Sequence, residues 1–473
     1  MRTARVDFGK PLQAWDGFGV NYVEAAQTRD YFAAPQEYGG FSTLTEGQRQ
    51  EIIELIFGPE GLKPGLIKMF LDSFHQPKPA PGYNYDPNVI DMTAYNHTSA
   101  TQWMRYFVTQ GLAKTRARGD DLAIITTLYG PPGWMTRQRF VRGRDLDPEL
   151  KYEVAKYLIS WAKYCREVEG YPVKYVSLHN EGEDWRRWPV DGSTDDAPKH
   201  DYNMYWPPEQ VADFIGFMRE MLDRQGMQDV GIAPGEPSNW YRFSEYGYAD
   251  AIIDDPQARK NIGMITSHGF FGRGLGRWYG DWRSTGIDTL RAVRPDLHAW
   301  VTSTSWSKMD AFFIWEMHNN IYSAKVNAII PWATVQRSSL WVGGDPNPGT
   351  AIRIDDSGQF SVEKGYYFFK QVSRAGQPGM SVVHVRSNEP DLTLIGFASN
   401  GTRNPDAFVV CNVGEEAEDV DIDVRGSGQA FTAYRTSETD RYVALGTFRL
   451  TGSTLAYRAP AMSVTTFYAA DAD

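Results

Sequence analysis

At 473 residues, 42% hydrophobic and 23% charged, the chain carries enough apolar material for a large core and none of the low-complexity tracts of a disordered protein. A formal net charge of −11 without any basic cluster excludes a polyanionic partner such as nucleic acid and suits a neutral ligand. No apolar run reaches the roughly 18 residues of a membrane span and MRTARVDFGK has no leader-like apolar stretch, so no membrane association is expected. The expected location is the cytoplasm, or outside the cell as a mature form whose leader has been removed.

Length alone favours two or three domains, and the pattern along the chain supports two. TARVDF alternates as a strand. From WDGFGV onward, short apolar runs follow one another: GLIKMFLD, LAIITTLY, VKYVSLHN, DVGIAPGE, IGMITSHGF, LHAWVTS and VNAIIPWA. Amphipathic segments such as GQRQEIIELIFG, ATQWMRYFVTQGLAKTRARG, ELKYEVAKYLISWAKYCREVEG and PEQVADFIGFMREMLDRQG separate them. Eight strands alternating with helices predict a parallel (β/α)8 barrel over residues 15–372. An open doubly wound sheet is the alternative, weakened because no Gly-rich phosphate loop follows the first strand. From about residue 380 the texture becomes short alternating runs between Gly, Asn and Asp, as in MSVVHVRS, LTLIGFAS, AFVVCNV and SVTTFYAA. These predict an antiparallel β-sandwich over 373–473, joined by a strand from residues 1–14. Cys165 in a helical pattern and Cys411 in a strand are read as separate buried thiols, without a disulfide.

Barrel chemistry sits at the carboxyl ends of the strands. Those ends carry Asn21 and Glu24, then Asp72, Trp134, His179–Asn180–Glu181, Glu236, His268, Ser303 and Trp332. A carboxylic acid beside an amide, as in Asn180–Glu181, suits glycoside hydrolysis. The acid protonates a leaving oxygen while the amide holds a neighbouring hydroxyl. The 15 tryptophans fit the same chemistry, since their faces stack on sugar rings, although most serve as core. Trp185, Trp188, Trp206, Trp240, Trp282 and Trp341 are candidates for subsites around the cleft. Arg186 and Arg187 are candidates for reading an acidic sugar. Glu316 lies in a helical pattern and is read as structural. Nothing in the sequence requires a metal or organic cofactor.

With these residues in view, the chain resembles glycoside hydrolase family 30 over almost its whole length. The resemblance rests on GFG after the N-terminal strand, PPGWM on strand three, HNE on strand four, SHGF on strand six and the strand-eight tryptophan. KGYYFFKQVSRAGQPGM looks like that family's join between barrel and sandwich, with YRTS and SVTTF at its sandwich positions. The resemblance implies Glu181 as general acid/base and Asn180 as holder of the hydroxyl beside the anomeric carbon. It implies Trp134 and Trp332 as walls of the sugar site, and His268 as a hydrogen-bonding partner near the strand-seven position.

At one place the chain departs from that pattern. The family's strand seven carries Trp, two residues, then the Glu that attacks the anomeric carbon. This chain reads Trp300, Val301, Thr302, Ser303, so Ser303 occupies the nucleophile position. A hydroxyl without an adjacent base is a poor nucleophile, and ordinary double displacement is not expected. Three explanations stay open: an engineered Glu→Ser replacement, a natural inverting-type departure, or loss of hydrolysis with sugar binding kept. For the second, Glu236 is the first alternative base, with Glu24 and Asp72 behind it. Glu236 serves equally well as a simple hydrogen-bond acceptor or the partner of an arginine. The expected protein is therefore a glycosidase acting on β-linked glycosides, and the rival is a carbohydrate-binding protein on a hydrolase scaffold. Long insertions after strands one, four and five favour a partly walled site and exo action.

Overall fold

The computed structural model describes residues 3–25, 37–189, 191–193, 202–270, 284–304, 309–340 and 349–470. Twelve residues, β1 (Thr3–Ala14), precede the barrel. Its strands are β2 (Gly17–Asn21), β3 (Leu66–Leu71), β4 (Ala123–Leu128), β5 (Val173–Ser177), β6 (Gly231–Ala233), β7 (Ile265–Ser267), β8 (Ala299–Thr304) and β9 (Ala328–Pro331). They pair in parallel in the order β6-β5-β4-β3-β2-β9-β8-β7. The ring closes between β6 and β7 through a parallel bridge from Ile232 to Ile262 and the hydrogen bond from Gly263 N to Ile232 O, 2.9 Å. All eight predicted strands are present, and the open-sheet alternative is excluded by this closure.

Alternation along the strands explains what each face buries. Leu66, Ile125, Ala233, Trp300, Ala328 and Ile330 pack together inside the barrel. Their neighbours Ile67, Ile124, Ile232, Val301 and Ile329 belong to the larger core under the helices. On β3 the same alternation sends Lys68 and Phe70 inward after Leu66. On β4 it sends Thr127 inward after Ile125.

The strands β10 (Val335–Gln336), β11 (Ile352–Ile354) and β12 (Phe360–Val362) form a small separate sheet. The remaining strands are β13 (Ser381–Ser387), β14 (Leu392–Ala398), β15 (Ala407–Asn412), β16 (Glu418–Arg425), β17 (Ala430–Thr436), β18 (Val443–Arg449), β19 (Thr454–Ala459) and β20 (Ser463–Ala470). With β1 they make a nine-stranded sheet, order β18-β17-β20-β15-β14-β13-β1-β16-β19. It curls so that Val6, Phe8, Leu394, Phe408, Ile422, Phe431, Leu455 and Phe467 share one interior. β1 joins it as expected. It pairs antiparallel with β13 but parallel with β16, so the sandwich is not wholly antiparallel.

Helix Lys364–Ala375 carries Tyr366, Phe368, Phe369 and Val372 into the main core, which also takes in Val382, Ile395, Val409 and Val464 of the sandwich. The apolar core is thus continuous from barrel to sandwich. Cys165 and Cys411 are both free and buried. Among the described residues, no helix is long and apolar enough to cross a membrane.

Candidate active site

The tip of β5 sets the site. After Ser177 the chain runs through His179 and Asn180 to Glu181, whose φ of 41° lies in the left-handed region that a side-chain-bearing residue enters only when held there. Two backbone bonds hold it: Glu236 N to His179 O, 2.8 Å, and Glu181 N to Glu236 O, 2.9 Å. Asn203 adds a third constraint, its Nδ2 donating to Asn180 O at 2.9 Å. This turn brings the Glu181 carboxylate to His268 and Arg187. There Oε1 lies 2.9 Å from His268 Nδ1, and Oε2 is ion-paired with Arg187.

From Glu181 a chain of polar contacts crosses the barrel mouth. The other nitrogen of His268, Nε2, lies 3.2 Å from Glu236 Oε2. That same oxygen is ion-paired with Lys68, and Thr127 Oγ1 donates to Glu236 Oε1 at 2.5 Å. Lys68 Nζ also donates to Ser303 Oγ at 2.7 Å and to Thr302 O at 3.0 Å. Arg187, Glu181, His268, Glu236, Lys68 and Ser303 therefore form one connected line. Ser303 joins it because of a local irregularity. Strict alternation after inward Trp300 and outward Val301 would turn Ser303 outward. The β8–β9 register shifts between Val301 and Thr304, and such a bulge re-aims a side chain.

The charges along this line are set by their neighbours. Burial pushes the Glu181 carboxyl up, but Arg187 and the His268 ring outweigh it and hold the group well below the usual carboxylate range. Burial likewise opposes ionisation of Glu236, and Lys68 with His268 overrides it, leaving that carboxyl low as well. Burial alone would lower the His268 imidazole. The bonds to Glu181 and Glu236 win, and its pKa is raised. His179, below the site, is pushed down to about 4 by burial and stays neutral.

Ser303 does have an amine beside it, but Lys68 meets three acceptors, Glu236, Thr302 O and Ser303 Oγ. An ammonium with three acceptors is a donor, so Ser303 Oγ is the accepting partner, and among the described residues no base stands beside it. Glu236 has both oxygens engaged and a fully buried side chain, which removes it as a free base. Its partner is a lysine rather than an arginine.

The other candidates divide. Trp134 is half-buried at the tip of β4, its indole donating to Gln76 O at 2.9 Å. Trp332, just past β9, stacks on Tyr129 with centroids 6.0 Å apart and meets the edge of Phe70. Asn180 is buried and bridges in parallel to Glu236. Asp72 accepts from Phe74 N at 2.8 Å and lies 3.2 Å from His75 Nε2, so its oxygens serve its own loop. Asn21 stitches β2 to the segment after β9, donating to Pro331 O at 2.8 Å and accepting from Thr334 N. Glu24 caps the helix Gln102–Ala117, accepting from Trp103 N and Met104 N at 2.7 Å each, and burial raises its carboxyl to about 7. Trp240 is fully buried with its indole donating to Asn320 Oδ1. Trp188 and Trp206 are buried too, whereas Trp185 is 48% exposed. Trp282 and Trp341 lie outside the described residues. Glu316, in the helix Ala311–Tyr322, is raised to about 8 by burial.

The residue that sequence reasoning missed is Lys68. Its signal was a lone cation in the otherwise apolar run GLIKMFLD, at an inward position of the alternation. Removing it alone leaves the buried Glu236 carboxylate without its ammonium, with Thr127 and His268 still on it, a loss of up to about 3–5 kcal/mol. Lys68→Met should therefore lower the urea midpoint sharply, and Lys68→Met with Glu236→Gln should recover much of that loss. Equal destabilisation by both variants would show the pair is not coupled.

The chain is a closed eight-stranded barrel with carboxylates at its strand tips, beside a β-sandwich that strand β1 enters. Its fold is that of solved structures of glycoside hydrolase family 30. An endoxylanase of that family from Clostridium papyrosolvens matches at 17% identity and TM-score 0.67, covering 99% of this chain and 100% of the other. The catalytic domain of xylanase C from Talaromyces cellulolyticus matches at 16% identity and TM-score 0.70, with 99% and 100% covered. The endo-β1,6-glucanase BT3312 matches at 15% identity and TM-score 0.70, with 99% and 94% covered. No protein-family model matches the chain, and no curated protein matches it by sequence. Likeness at this level establishes architecture, and the chemistry has to be argued from the residues.

Proposed function

We propose that the chain is a glycosidase of family 30 type acting on β-linked glycosides or oligosaccharides, with Glu181 as general acid/base and no carboxylate at position 303. Residues 15–372 form the catalytic barrel in this reading, and 1–14 with 373–473 the supporting sandwich domain. The observation that carries it is the Glu181 carboxylate at the β5 tip, bonded to His268 and joined by one polar line to Ser303. Asn180 holds the hydroxyl beside the reacting carbon, and Trp134 and Trp332 wall the sugar. With Ser303 unactivated and Glu236 tied to Lys68, water is the nucleophile and ordinary glycosides turn over slowly. The neighbours named for xylan and for β1,6-glucan share one fold, so the sugar is set by loops rather than by the barrel.

The test is a panel of aryl β-glucosides, xylosides, galactosides and fucosides, with turnover and calorimetric binding measured on each. Hydrolysis above the uncatalysed rate by about 10³-fold or more on one sugar supports the reading, a modest demand for an enzyme. Binding without turnover supports the second reading, a carbohydrate-binding protein, which the lysine-bound hydroxyl of Ser303 favours. On the preferred sugar, Trp134→Ala should raise KM by about 2- to 10-fold with kcat little changed, the size expected for one lost stacking face. A change confined to kcat would remove Trp134 from the sugar wall.

A further inference from the structure

In a two-carboxylate site, the charge of one group keeps its neighbour protonated. Serine at 303 removes that help from Glu181, so a proton for the leaving oxygen has to come from elsewhere. His268 is placed to hold it. Its Nδ1 faces Glu181 Oε1 at 2.9 Å and its Nε2 faces Glu236 Oε2 at 3.2 Å. Ionised carboxylates only accept, and a neutral imidazole has one donor nitrogen. Both contacts are satisfied only when one more proton sits on this triplet than a neutral ring supplies. The carboxylates already take donors elsewhere: Arg187 on Glu181, Lys68 and Thr127 on Glu236. The extra proton therefore belongs to the ring.

We propose that the proton delivered to a departing glycosidic oxygen is stored on His268 and passed through Glu181, which makes His268 a positioning residue. The inference rests on the glycosidase reading above. In the forward step the His268 Nδ1–H bond breaks and its proton joins Glu181 Oε1. That proton then passes to the glycosidic oxygen, which keeps the electron pair of the breaking bond to the anomeric carbon. Water adds its oxygen to that carbon. Its surplus proton returns through Glu181 to His268, so one glycoside and one water give one sugar and one alcohol.

The groups that face the ring set its pH response. Glu181 and Glu236 favour the charged ring, Lys68 opposes it, and His179 is neutral. Because the pKa of His268 is raised, the stored proton is present below the ordinary imidazole value of about 6.5 and is lost as pH climbs through the higher folded value. Activity on poor leaving groups should fall on that alkaline limb.

The experiment compares wild type and His268→Gln on an alkyl and a dinitrophenyl β-glycoside of the preferred sugar, across pH. The expected result is a loss of about 10²-fold on the alkyl glycoside, less than about 3-fold on the dinitrophenyl one, and disappearance of the alkaline limb. Equal losses on both substrates, or an unchanged limb, overturn the proposal. Nitrogen-15 NMR of the histidines in the wild-type chain supplies a readout that needs no variant. An imidazolium at His268 near neutral pH, with alkyl glycoside turnover, supports the relay. A neutral ring with turnover overturns the relay alone. An imidazolium with no turnover of any glycoside overturns it together with the glycosidase reading.

Discussion

Replacing Glu181 with glutamine should lower kcat/KM on alkyl β-glycosides by about 10²–10⁴-fold, the usual worth of a positioned general acid. The amide keeps the shape of the side chain and can still accept from Arg187, but it cannot carry a proton to a leaving oxygen. A dinitrophenyl glycoside leaves without protonation, so its turnover should fall far less in the same variant, losing only the acceptor that Glu181 offers to the proton of water. Steady-state kinetics on the two substrates separates the outcomes. Parallel losses on both would mean that Glu181 supports the fold of the mouth rather than the chemistry, a reading its strained φ of 41° makes worth testing.

The second large effect lies across the mouth. Ser303→Glu should raise kcat on aryl β-glycosides by at least about 10²-fold, because a carboxylate fixed beside the anomeric carbon replaces a weakly held water. Two changes act together. The new group attacks, and its charge opposes that of Glu181, raising the pKa of the acid into a range where it holds its own proton. Retaining glycosidases keep two such groups roughly 5 Å apart. The gain should come with retained anomeric configuration, read by proton NMR of the first product, and with an alkaline limb governed by Glu181 itself. Lys68 sets a ceiling on the gain. Its charge already neutralises Glu236, and a second carboxylate would compete for it. No gain at all would mean that the tip of β8 does not face the reacting carbon.

Much of this was legible before any coordinates. The eight barrel strands were found because each is a short, largely buried apolar run closed by a polar or aromatic tip. Glu181 stood out because it follows Asn180 at the end of the apolar run VKYVSL, in line with polar residues at the other strand tips. Other features depend on direction rather than identity. Trp240 reads as a sugar platform in sequence, yet Asn239 caps the helix that follows and turns the indole into the core. Glu24 reads as a spare acid, yet it meets the open N–H groups of a helix distant in sequence. Ser303 faces inward only through a register shift that no spacing announces. Lys68 was hidden in plain view because a lysine inside an apolar run reads as a flaw in the strand, while its partners come from two other strand tips.

The central claim is geometric, and a crystal structure of the chain soaked with an intact β-glycoside tests it most directly, slow turnover being an advantage there. The Glu181 carboxyl should lie within hydrogen-bond reach of the glycosidic oxygen, roughly 2.6–3.2 Å, with the anomeric carbon above Ser303 and no carboxylate beneath it. A sugar seated elsewhere on the barrel, or one whose glycosidic oxygen points away from Glu181, would contradict the account.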